Sequence, residues 1–165
     1  MKIIAIVLVS ILLLYPFVKS RKTTKILLNV TTSTNDDSDT KGRVFFTINS
    51  DEKNKYVLDI PQYEDRSLGA TDSYEFTIEY PMDEITDVTL SIESPDAWKL
   101  KEFVVQFISE GKYSAKYLAN NARWLSNEDR DIKKMGAKQR YLYNIDMKAF
   151  DYKNVPTVYL NSKNR

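Results

Sequence analysis

From Lys25 onward, apolar residues recur at every second position, in short runs divided by polar turns. That period belongs to strands buried on one face, and it excludes a helical bundle. Ile26, Leu28 and Val30 open the pattern. After the polar loop Asn35–Gly42 come the runs 44–48 and 56–60, the second closed by Pro61, which cannot donate to a sheet ladder. Further strands are predicted over 74–78, 88–92, 98–108, 113–117 and 124–125. Short strands at this spacing predict an all-β fold over residues 21–126, an eight-stranded antiparallel β-sandwich or a barrel.

One run breaks its own parity. In WKLKEFVVQF, Trp98 and Leu100 lie on one phase, and Phe103, Val105 and Phe107 on the other. An extra residue, a β-bulge near Lys101–Glu102, returns both sets to one face. Trp98 stands at the exit of the Pro95-Asp96 turn. An aromatic placed there serves as a core anchor, as an exposed membrane wedge or as a stacking platform for a ligand.

The first twenty residues read differently. Lys2 precedes the apolar run Ile3–Leu14, and Tyr15-Pro16-Phe17-Val18-Lys19-Ser20 follows. A spanning helix needs about 20 apolar residues, so the run is too short. A positive start, a short apolar stretch and small residues beyond it predict a secretory signal peptide over 1–20, cut after Ser20. The alternative, an uncleaved anchor, is disfavoured by Pro16 and Lys19. The chain is therefore expected to be secreted and extracellular.

The absence of cysteine means that a secreted chain of this kind holds together by its core alone. The absence of histidine removes Ser-His-Asp and Cys-His chemistry and ordinary zinc sites. Paired carboxylates alone cleave glycosides, but no Gly-x-Ser-x-Gly elbow or glycine-rich phosphate loop accompanies them. The chain is expected not to be an enzyme.

Charge divides the chain. From Arg130 on there are 9 basic and 3 acidic residues, whereas 21–129 hold 13 basic and 20 acidic. Residues 127–165 thus form a basic C-terminal extension. Its start, Ser126-Asn127-Glu128-Asp129, has the cap pattern of a short helix ending at Gly136. Alternation over 141–147 and the run 157–160 predict two more strands. This apolar pattern favours docking on the sandwich over a free basic segment that meets anionic lipid. Interleaved tyrosine and lysine also suit single-stranded nucleic acid, which the signal peptide argues against; no nucleic-acid partner is expected.

The order of landmarks is specific: DTKGRVFFTI, then GATDSYEFTIEY, MDEITDVTLSI, WKLKEFVVQF and a closing NNARWL. This set, over about residues 25–126, resembles a PLAT domain, the β-sandwich attached to lipoxygenases, secreted lipases and polycystin-like membrane proteins. The resemblance implies that Trp98 and Trp124 are the two structural tryptophans, with Trp98 a partly buried brace for the loop end. It implies a non-catalytic module that binds lipid or a membrane-associated protein, with Pro95, Asp96 and Trp98 in the contact loops. It also implies calcium, between the first loop and the loop before Trp98. Here the sequence departs from the family pattern: Lys41 falls where an acid is expected, and the acid before the tryptophan falls near Ser94. Asp36, Asp37, Asp39 and Asp96, with Glu93 nearby, are the carboxylates able to rebuild a shifted Ca2+ site; the alternative is that they are solvated loop charges. The expected partner of the monomer is a lipid membrane surface or a membrane-associated protein. The competing expectation is a soluble protein-interaction module, accessory to a lipase-like enzyme, without lipid affinity. Asn29-Val30-Thr31 is a glycosylation sequon, and alternation puts Asn29 on the more polar face of its strand; the alternative is an unused sequon, since acceptors favour loops.

Overall fold

The computed structural model describes residues 22–35, 37–120, 122–127, 138–151 and 154–163. The predicted leader, Asp36 and nearly all of the predicted helix ending at Gly136 lie outside them. Thirteen strands form among the described residues: β1 (Thr24–Thr32), β2 (Val44–Ile48), β3 (Lys55–Val57), β4 (Thr71–Ile78), β5 (Asp87–Ile92), β6 (Trp98–Ser109), β7 (Lys112–Ser114), β8 (Lys116–Ala119), β9 (Arg123–Leu125), β10 (Arg140–Asn144), β11 (Ala149–Phe150), β12 (Thr157–Tyr159) and β13 (Ser162–Lys163). They make two sheets. The larger runs β11-β7-β6-β1-β4, with β8 and β9 also on β6 and β12 on β8; the smaller runs β13-β10-β5-β2-β3. All pairings between these strands are antiparallel except β8 with β12.

The count exceeds eight for local reasons. The run 113–117 divides at Ala115, because the Ser114 hydroxyl accepts from the Phe107 N–H (2.9 Å) and donates to the Ala115 carbonyl (2.7 Å). The run 56–60 stops at Val57, and the Leu58 carbonyl instead accepts from the Arg66 guanidinium. The C-terminal segment adds β10 and β13 to the smaller sheet and β11 and β12 to the larger.

The parity break in β6 is a bulge. Thr31 pairs with Glu102 and Thr32 with Leu100, which leaves Lys101 as the extra residue. Trp98, Leu100, Phe103, Val105 and Phe107 consequently share the inner face, each at most 1% exposed. Against them lie Phe46, Val88, Leu90 and Ile92 of the smaller sheet, all fully buried. Full burial of each such side chain is worth about 1.5–3 kcal/mol, the main term holding a chain that has no disulfides. Tyr143 of β10 sets its ring edge-on to Phe103 at 4.8 Å between centroids. That burial pushes the Tyr143 hydroxyl up to about 12.

Candidate functional site

The strand registers bring three loops to one end of the sandwich. Thr31 pairs with Thr71, Thr32 with Leu100, Val44 with Ile92 and Phe45 with Val57. Loops 33–43, 58–70 and 93–97 therefore emerge together. The first and third carry the residues singled out by the sequence; the second joins the strand runs 56–60 and 74–78.

Trp98 is the hinge-pin of this end. It is fully buried, and its indole Nε1 donates to Thr32 Oγ1 at 2.9 Å. It is a core anchor, so its expected place among the contact residues is corrected: a side chain with no exposed surface cannot touch a membrane. Pro95 and Asp96 beside it are exposed. Backbone bonds then fasten the first loop to the strand that Trp98 opens, from Ser33 N to Lys99 O (2.9 Å) and from Lys99 N to Ser38 O (3.0 Å).

Asp96 has a defined task. Its Oδ2 accepts from Thr40 Oγ1 (2.8 Å) and from the Lys41 backbone N–H (3.0 Å), clamping loop 93–97 to loop 33–43. Gly42 lets the two loops meet. A Cβ there would stand 2.6 Å from Ser94 Cβ, closer than real carbons approach.

This arrangement bears on calcium, which takes 6–8 oxygens at 2.3–2.6 Å. Asp37 and Asp39 are exposed on the first loop, and Asp96 already spends an oxygen on its clamp. Lys41 adds a cation on the same loop. Among the described residues, no three acidic side chains come together as a metal site. The described residues do not fit a calcium ion.

The third loop, 58–70, holds what sequence reasoning missed. Tyr63 is 53% and Leu68 50% exposed, the two large apolar side chains most exposed at this end. Pro61 is exposed beside them. Beneath them lies a buried ionic network. Asp65 Oδ2 accepts from Arg66 Nη1 (2.6 Å), Tyr74 OH (3.0 Å) and Ile60 N (3.2 Å), while Asp72 Oδ2 accepts from Arg66 N (2.6 Å). Burial, reinforced by the Asp65 charge, holds the Tyr74 hydroxyl far above its ordinary value. Arg66 is held at φ +59°, a left-handed conformation costly for a long side chain, so the network fixes the loop against strain. Gly69 N donates to Ser33 O at 3.1 Å, which ties this loop to the first. A cleft of about 330 Å³ between the loops is lined by Asp39, Lys41, Asp59, Tyr63 and Glu64 among others, a charged notch below the Tyr63 tip.

The sequence matches the PLAT/LH2 domain over residues 26–142, most of the chain. The chain belongs to the PLAT/LH2 domain family. The PLAT match runs past Ser126 into β10, whose five residues all pair with β5. Two solved structures agree on the fold. The alpha toxin from Clostridium absonum superposes with a TM-score of 0.50 at 19% identity, over 66% of this chain and 30% of the toxin. The alpha toxin of an avian Clostridium perfringens strain gives 0.50 at 16% identity, over 64% and 30%. Coral 8R-lipoxygenase, a protein described as activated by calcium through a C2-like domain, gives 0.48 at 14% identity, over 80% and 18%. The chain thus spans less than a third of each of these proteins. No curated protein sequence matches it.

Within the PLAT sandwich, Asn29 projects from the outer face of β1, exposed, between the buried Leu28 and Val30. It lies three residues before the loop end of β1, on the strand between β4 and β6.

Proposed function

We propose that this PLAT domain is a secreted, non-catalytic module that docks on lipid surfaces through the loop end. The observation that carries the reading is the exposed pair Tyr63 and Leu68, held out on a loop whose base is fixed by the Asp65–Arg66–Asp72 network. Apolar tips on a rigid base lose little conformational freedom on insertion, so most of their transfer energy goes into binding. Half of each side chain remains to be buried, about 1 kcal/mol apiece, and Pro61 and Pro95 widen the footprint. Contacts of this size give a reversible attachment. Exposed Asp39, Asp59 and Glu64 outnumber Lys41 around the notch below Tyr63, so binding favours neutral over strongly anionic surfaces. Calcium has no step in this reading, because Asp96 serves as a loop clamp.

The test is co-sedimentation of residues 21–165 with neutral and anionic liposomes, with calcium or chelator. Binding is expected to neutral vesicles, to persist in chelator and to fall about five- to tenfold in Leu68→Ser, with a further loss in Leu68→Ser/Tyr63→Ser. Binding lost in chelator would transfer the function to a calcium site that includes Asp36. No binding to any vesicle would leave the soluble protein-interaction module as the reading.

A further inference from the structure

The outer face of the larger sheet is two-toned. Its β4 side presents Thr71, Ser73, Glu75 and Thr77, all exposed. Its other side mixes Glu102, Lys116 and Thr157 with Val104 and Leu118, half-buried, and Tyr159, 69% exposed. The registers Asn29 to Ser73, Asn29 to Val104, Val104 to Leu118 and Leu118 to Tyr159 make one row across β4, β1, β6, β8 and β12. Each outward residue of the middle strands alternates with fully or almost fully buried neighbours, which fixes the row to this face. A sheet surface facing water is ordinarily polar, so the apolar half of the row calls for a cover. Asn29 sits on the boundary between the halves and belongs to the only Asn-x-Ser/Thr sequon in the 165 residues.

We propose that Asn29 carries an N-linked glycan whose first sugars lie along the row over Val104, Leu118 and Tyr159. The inference rests on the secretion reading, since the reaction needs the lumenal donor, a lipid-pyrophosphate-linked oligosaccharide. The Asn29 amide nitrogen bonds to the anomeric carbon and gives up one proton. The bond from that carbon to the pyrophosphate oxygen breaks, and the lipid pyrophosphate leaves with the electron pair. The sequon precedes β4 and β6 in the chain, so a chain that enters the lumen as it is made presents Asn29 before those strands close around β1. In the folded chain its neighbour on one side is the small Ser73, which leaves room for the linkage. Tyr159 lies three strand spacings away on the other side, roughly 14 Å. The C–H faces of sugars suit that ring and Leu118, and their hydroxyls keep the outer surface wet. The attachment also keeps partner strands off this face.

The full chain is expressed in cells with an N-glycosylation pathway, as wild type, Asn29→Gln and Thr31→Ser. The expected secreted product begins at Arg21, loses mass with peptide N-glycosidase, keeps that loss in Thr31→Ser and lacks it in Asn29→Gln. Asn29→Gln is also expected to bind a hydrophobic dye roughly threefold more than wild type, reversed by adding Leu118→Ser and Tyr159→Ser. A product that begins at Arg21 with no mass loss overturns the glycan and leaves secretion standing. A mass loss with unchanged dye binding in Asn29→Gln overturns the cover. A chain retained in the cell with its leader intact overturns secretion and glycan together.

Discussion

Deleting Lys101 tests the logic of the fold with one residue. Lys101 is exposed and pairs with nothing across β1, yet it keeps Trp98 and Leu100 on the same face as Phe103, Val105 and Phe107. Without it, a continuous ladder turns Trp98 and Leu100 outward, because a slip of one residue exchanges the faces of a strand. Trp98 is 0% and Leu100 1% exposed. Truncating a buried tryptophan costs about 3–5 kcal/mol and a buried leucine about 2–5 kcal/mol, so turning both out costs roughly 5–10 kcal/mol. The Trp98 Nε1 bond to Thr32 goes with them. Since a domain's whole stability is about 5–15 kcal/mol, the deletion is expected to leave little or no cooperative unfolding transition in urea. Lys101→Ala is the control, expected within about 0.5 kcal/mol of wild type because its side chain is exposed. A deletion variant with a urea midpoint near that of wild type would refute the bulge as the device that sets the register.

Thr32→Val strands the buried indole N–H of Trp98 and is expected to cost about 1–3 kcal/mol in urea unfolding, whereas Thr32→Ser keeps the bond and costs less. Asp65→Asn breaks a pair in which both side chains are under a tenth exposed; a loss of about 3–5 kcal/mol is expected by the same assay. Tyr143 titrates at about 12 in the fold against an ordinary value of 10.0, so the folded state holds its proton where the unfolded chain has lost it. Its contribution is whole below pH 10 and declines through pH 12, by roughly 2–3 kcal/mol, and Tyr143→Phe is expected to flatten that decline.

Period-two alternation made most of the sandwich legible, because one face of each strand is core and the other water. The same contrast exposed the bulge: only an extra residue reconciles Leu100 with Phe103. Trp98 was legible as an anchor but not as a residue sealed from solvent, which depends on loop 33–43 folding over it. Loop 58–70 was illegible. Its Glu64-Asp65-Arg66 reads as solvated charge, and nothing local shows that Asp65 and Arg66 turn inward to meet Asp72 and Tyr74. Tyr63 and Leu68 sit where no strand period operates, so their exposure follows from that buried network. Likewise, the sequence of Asp96 shows a carboxylate but not the Thr40 and Lys41 donors that occupy it. The parallel seat of β12 on β8 depends on a long return of the chain, which no local pattern encodes.

The place of β10 between β5 and β13 sets a clock for biosynthesis. Once Ile92 has left the ribosome, β5 can pair with β2 on one side but keeps an open edge on the other until Arg140–Asn144 emerges. At about 5–20 residues per second, the stretch between Ile92 and Arg140 takes roughly 2–10 s to synthesise. Through that interval the nascent chain shows a ladder of unpaired N–H and C=O groups beside Val88, Leu90 and Ile92, the kind of edge that recruits stray strands. Translation speed, rather than the finished fold, fixes how long the chain stands exposed in this way.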